Sequence, residues 1–182
     1  LPMPLGDYQP YLALVTLYRG DTREARRLLS ESLQHCLKLN DRHYISRVYT
    51  CLAETALWDG GLDESAQWLT QSFAKDADPH RIENYLVRRL FIAACLATDQ
   101  HRFPRAAALF GLADQAHSRI HFVIGGPPLA KADAALAAVR AVLEPAVFAE
   151  AFAAGQQLSF SEAFATILTP VQIASTLGDM QG

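Results

Sequence analysis

Long hydrophobic runs are missing from this chain. No apolar stretch approaches the roughly 18 residues that mark a membrane helix, and no basic segment leads into an apolar one at the start, as a secretory leader requires. A membrane partner is therefore not expected, and the cytoplasm is the expected location. Charge of one sign is missing too: 16 Lys and Arg stand against 19 Asp and Glu, for a net charge of −3 and a pI near 6.1. Proteins that hold nucleic acid carry a basic excess on one face, so this chain is expected to make no direct nucleic-acid contact. Cysteine is scarce. Cys36, Cys51 and Cys95 are odd in number, far apart and set among apolar residues, a pattern of buried thiols in a reducing compartment rather than of disulfides.

The motifs of catalysis and metal binding are also lacking. There is no H-E-x-x-H, no Cys pair at zinc spacing and no G-x-S-x-G. His117 and His121 are one helical turn apart with Asp114 a turn earlier, but no further ligand completes a metal set. Cys51 could pair with His43 or Glu54, yet its apolar neighbours mark an inert thiol. The stretch FVIGGPPLAK, Phe122 to Lys131, has the glycines and lysine of a phosphate loop, but the glycines are adjacent and Lys131 is followed by Ala132 rather than Ser or Thr. It reads as a joint between two kinds of helical packing. No metal, no cofactor and no enzymatic activity are expected.

What is present is a repeat, in a chain of 182 residues that is 51% hydrophobic and ample for a continuous core. The segments RGDTREARRLL, GGLDESAQWLT and HRFPRAAALFG align at an offset of 41: Ala25 onto Ala66 and Ala107, Leu28 onto Leu69 and Phe110. The same offset carries Tyr8 onto Tyr49 and Leu90, Val15 onto Ala56 and Ala97, Tyr44 onto Tyr85, and Arg47 onto Arg88. Each unit reads as two antiparallel helices, the first over 8–18, 44–58 and 81–98, the second over 22–39, 63–75 and 104–117. Turns fall at 19–21 and 59–61, Thr22 or Asp63 is expected to cap, and Pro104 suits a first turn. The recurring alanine is expected where two helices of a pair cross closely.

A helix pair cannot bury its apolar stripe alone, so pairs must stack. The expected fold is all-α: a right-handed α-α superhelix that resembles a tetratricopeptide-like solenoid, with three long helix pairs over 1–120 and C-terminal capping helices over 132–168. The usual unit is about 34 residues, so these helices are longer. A Gly/Pro loop is expected over 121–131, helices over 132–143, 145–154 and 160–168, and a tail over 169–182. Gly155 is expected to end the second of these helices, and Ser159 with Glu162 to form a capping box for the third. The chain opens at Leu1 with apolar residues, and a fragment whose N-terminal neighbour is missing is expected.

From Ala106 onward the chain resembles the end of the helical region in bacterial regulators of the LuxR/MalT type, which join a nucleotide-binding ATPase module to tetratricopeptide-like repeats. The resemblance rests on Ala106, Ala107, Leu109, Phe110 and Gly111, then Gly126, Pro127 and Leu143, then Phe148, Ala151, Gly155, Leu158, Ser159, Glu162 and Ala163. It covers about a third of the chain strongly. Glu144, Phe152 and Gln156 depart from the customary Gly, Trp and Arg. The tail resembles the start of a LuxR-type domain but is too short to be one. The resemblance implies a noncatalytic sensor or interaction arm of a transcriptional regulator, whose partners are a protein, a peptide or a small effector in the groove and the remainder of the parent regulator. A free-standing protein-binding scaffold is the alternative.

In such a solenoid the first helices line the concave face. Arg42, His43, Arg47 and Glu54 on one, with Arg81, Asn84, Arg88 and Arg89 on the next, are the groove candidates. Arg47 and Arg88 occupy equivalent positions, and two stacked arginines suit a carboxylate or phosphate. The plainer reading leaves these side chains solvated or bridging to acids such as Asp41, Glu54 and Glu83.

Overall fold

The protein is described by a computed structural model that covers residues 9–75, 84–120 and 126–159. Among the described residues the secondary structure is entirely helical: α1 (Gln9–Tyr18), α2 (Thr22–Leu39), α3 (Arg42–Trp58), α4 (Leu62–Lys75), α5 (Asn84–Asp99), α6 (Phe103–Ile120), α7 (Pro127–Val142) and α8 (Pro145–Gln157). The all-α expectation holds, and the six repeat helices fall close to where the sequence placed them. The expected helix over 160–168, its capping box and the tail over 169–182 lie outside the described residues.

Local chemistry sets the helix ends. Asp21 rather than Thr22 caps α2, its carboxylate accepting from the Glu24 amide at 3.0 Å. Asn40 closes that helix in the left-handed region at φ 53°, donating to the carbonyls of Cys36 and Leu37. Asp41 then caps α3 by accepting from the amides of His43 and Tyr44 at 3.1 and 3.2 Å. Asp63 lies inside the first turn of α4, where a carboxylate favours the positive end of the helix dipole. Pro104 sits in the first turn of α6, as expected.

The Gly/Pro segment is shorter as a loop than the sequence suggested. Gly126 adopts φ 70°, and Pro127 and Pro128 open α7 directly after it. A proline in the first turn gives up no hydrogen bond and presets the helical φ, so residues 127–131 belong to the helix, while 121–125 lie outside the described residues.

The packing follows the pairs. α1 packs on α2, α3 on α4 and α5 on α6, while α2 meets α3 and α4 meets α5. The first helices also touch in succession, α1 with α3, α3 with α5 and α5 with α7. Two apolar clusters result, one from α1 to α3 with Tyr85 of α5, the other running from α3 to α8, and Trp68 packs against both. Ala25, Ala107, Leu28, Leu69 and Phe110 are buried at their repeat positions. Ala66 is only half-buried; Ser65 beside it makes the close crossing instead, its hydroxyl donating to the Ala53 carbonyl at 2.8 Å. Ser72 does the same one stripe further on, accepting from Ser46 Oγ at its carbonyl at 2.8 Å.

Gly155 does not end a helix, as its place in the sequence suggested. It lies buried within α8, where α8 crosses α6 so closely that a Cβ would stand 1.9 Å from the Ala108 carbonyl oxygen. Gly111 reciprocates: a Cβ there would stand 2.0 Å from the Phe152 carbonyl oxygen. Both obstacles are backbone atoms of a packed helix, so neither yields by side-chain rotation. Gly155→Ala is expected to cost about 3 kcal/mol, the upper range of core overpacking, measured by urea denaturation. Ala154→Ser at the neighbouring exposed position is expected to change stability by less than about 0.5 kcal/mol.

Candidate functional site

A cavity of about 360 Å³, its open mouth included, lies where α3, α5 and α7 meet. Glu54, Leu57 and Trp58 come from α3, Arg88, Phe91, Ile92 and Cys95 from α5, and Pro128 and Lys131 from α7. Polar and apolar members together fall three or four residues apart on each element, so each helix turns one stripe toward the cavity.

The polar side of the cavity is a buried network that links three first helices. Glu54 of α3, only 3% exposed, accepts from Arg88 Nη1 of α5 at 2.6 Å and from the Tyr18 hydroxyl of α1 at 2.6 Å. Arg88 Nη1 also donates to the Tyr18 oxygen at 2.7 Å. The carboxylate thus receives both neighbours, which a buried charge requires. Burial opposes the charge on Arg88, but Glu54 and Tyr18 outweigh it and hold the guanidinium above its ordinary pKa. Burial, reinforced by Glu54, pushes the Tyr18 hydroxyl well above the ordinary tyrosine range, so it stays a donor. Among the described residues Nε and Nη2 of Arg88 make no hydrogen bond within the protein.

Lys131 is the second cation. Its ammonium stands 3.9 Å from Asp99 and 6.0 Å from the Trp58 ring centroid, and the side chain is partly exposed. A contact that long to a surface carboxylate holds the lysine weakly, worth about 0–1 kcal/mol. Tyr18 leans on Trp58 with ring centroids 5.6 Å apart, and Phe91 packs toward Phe110 at 6.4 Å. Trp58 and Phe91, the guanidinium-bearing Arg88 and Lys131 therefore line the same space.

The groove candidates divide. Glu54 and Arg88 are brought together, as an ion pair of the kind the plainer reading allowed. Arg47 lies elsewhere on the first helices, its guanidinium 5.4 and 5.0 Å from the ring centroids of Tyr44 and Tyr85. His43 packs edge-on to Tyr44 at 5.9 Å, and Arg42 is exposed at the start of α3. Arg89 is not a groove residue: it is 3% exposed, over Phe73 at 5.1 Å, with Nε donating to the Tyr85 carbonyl at 3.3 Å. It lies one residue, and so about 100° of helix, from Arg88. Asn84 is the first residue of α5, and Arg81 lies outside the described residues. Sequence reasoning missed Tyr18, Trp58, Phe91, Pro128 and Lys131. The available signal for the last two was that the Ala-rich helix after the period breaks is another first helix, packed on α5 as α5 is on α3.

The cysteines are not poised for chemistry. Burial pushes the Cys51 thiol up to about 12, and burial likewise raises Cys95 to about 12. A neutral thiol is a poor nucleophile and a poor ligand. No group of three His, Cys, Asp or Glu suited to a metal occurs among the described residues; His117 is half-buried on α6, and His121 lies outside them. No protein-family model matches the chain, and no curated protein or solved structure matches it either.

Removing one partner of a buried pair strands the other. Glu54→Leu is expected to cost about 3–5 kcal/mol, and Glu54→Leu with Arg88→Met together to cost less than the single change, as read from the urea midpoints of the three chains. The thiols give a pH test. Their raised pKa means that the folded state holds the proton more tightly than the unfolded one, so the contribution is full below pH 9.0 and is lost as pH rises toward about 12. Urea midpoints should fall between pH 9 and 11, and Cys51→Ala with Cys95→Ala should flatten that fall.

Proposed function

We propose that this chain is a noncatalytic helical-repeat sensor module that binds a small anionic effector with an apolar body between α3, α5 and α7. The supporting observation is the cavity itself: Arg88 and Lys131 line a space walled by Trp58, Phe91 and Ile92. Glu54 neutralises Arg88 once, leaving Lys131 as the charge a carboxylate or phosphate would recruit away from Asp99. The apolar wall supplies burial for the rest of the effector.

Binding there would act on the stack. The walls come from three successive first helices, so a ligand that prefers one spacing of α3, α5 and α7 shifts the population toward it. In a right-handed superhelix, the arrangement the repeat pattern implies, that spacing sets the curvature of the array. The resemblance of the segment from Ala106 to Ala163 to LuxR/MalT-type regulators supports a role in passing such a change to an ATPase or DNA-binding part of a parent regulator in the cytoplasm.

A thermal-shift screen of small organic carboxylates and phosphates tests the site. A true effector at about 100 times its Kd should add about 2.7 kcal/mol of stability. Lys131→Met should weaken binding about tenfold, the loss of a charge-assisted hydrogen bond of about 1.4 kcal/mol, without changing the melting of the unliganded chain by more than a degree or two. If Lys131→Met and Phe91→Ala both leave an effector's shift unchanged, the cavity is not where it binds.

A further inference from the structure

The opposite end of the stack carries large apolar side chains in water. Tyr11, Leu12 and Val15 of α1 are 51%, 53% and 50% exposed. At the repeat offset they correspond to Leu52, Ala53 and Ala56 of α3 and to Ala93, Ala94 and Ala97 of α5, all of them buried. The inner helices are covered because each has a helix pair before it: α3 packs on both α1 and α2, and α5 on both α3 and α4. α1 occupies the same place in its own pair, with the same apolar character and no pair before it among the described residues. The eight residues preceding Gln9 are too few for a helix pair, which needs about 30.

The terminal unit of a repeat stack normally turns a polar face outward, because otherwise the end of the array is sticky. α1 does the reverse. Tyr11 packs edge-on to the Tyr85 ring at 6.4 Å, which ties the patch to α5.

We propose that this face of α1 is an interface for a further helix pair of the same repeat chemistry, preceding α1 in the same polypeptide and seated on it as α1 and α2 are seated on α3. The face continues an interface that the stack already uses twice, and that continuity selects a repeat hairpin over an unrelated partner. Small side chains fill the inner positions, whereas the larger Leu12 and Val15 call for a shallower hairpin surface opposite them.

The test compares this chain with one extended by the reading frame that precedes its first codon. Val15→Cys should react with a maleimide quickly in the shorter chain and at least about tenfold more slowly in the longer one, as protection by packing requires, while Arg23→Cys on the exposed side of α2 reacts alike in both. Val15→Glu should leave the melting of the shorter chain unchanged and lower that of the longer one. Equal labelling of Val15→Cys in both chains overturns the proposal. So does a reading frame that encodes no helix pair upstream, or self-association of the shorter chain that Val15→Glu abolishes, since a second copy would then be the occupant.

Discussion

The charge on Arg88 has to be met inside the protein, and much of the architecture follows from how it is met. Its guanidinium reaches Glu54 on the preceding first helix and Tyr18 on the one before that, so one side chain ties α1, α3 and α5. Each of the three sits where the others need it: Glu54 without Arg88 would be a stranded buried carboxylate, and Tyr18 without Glu54 would lose the acceptor for its proton. The network fixes the register of the first helices against one another, which apolar packing alone specifies less strictly. The cavity lies beside it, lined by Trp58 and Phe91 about one turn beyond Glu54 and Arg88 and by Lys131 of α7.

Ion pairs between units recur on the other side of the stack in a more exposed form. Arg26 of α2 donates to both oxygens of Glu64 in α4 at 2.7 and 3.0 Å and to Asp59 in the turn between α3 and α4 at 2.9 Å. Those bonds hold the Glu64 carboxyl below its usual range. Such solvated contacts add little stability singly, but they select one pairing of neighbouring units. Buried hydroxyls serve the same end between α3 and α4, where Thr50 bonds the Ser46 carbonyl at 2.9 Å and lies 3.1 Å from Ser72 Oγ.

The helices were legible because apolar residues recur with the helical period and because Gly20, Gly60 and Asn40 punctuate them; the three adopt positive φ at the turns. The repeat offset located Arg47 and Arg88 as equivalents, but equivalence in register is not equivalence in surroundings. Arg88 has Glu54 within reach on the neighbouring helix and joins it, whereas Arg47 has Tyr44 and Tyr85 and packs on their faces. Arg89 was misplaced for a related reason: a residue adjacent to a groove position on a helix points roughly a quarter turn away, here into the Phe73 side of the core. Gly155 misled because glycine at a helix end and glycine at a crossing look alike in one sequence. The difference lies in the partner, the Ala108 carbonyl on a helix more than forty residues earlier.

The crossing of α6 and α8 divides the far end of the stack mechanically. α8 is seated on α6 backbone to backbone, while α7 rests on α5 and meets α8 along only a short patch. α7 and α8 are therefore anchored differently, α8 chiefly on α6 and α7 on α5 with a smaller contact to α6. α7 carries Lys131 and Pro128 into the cavity wall, whereas none of the residues at the Gly111 and Gly155 crossing lines it.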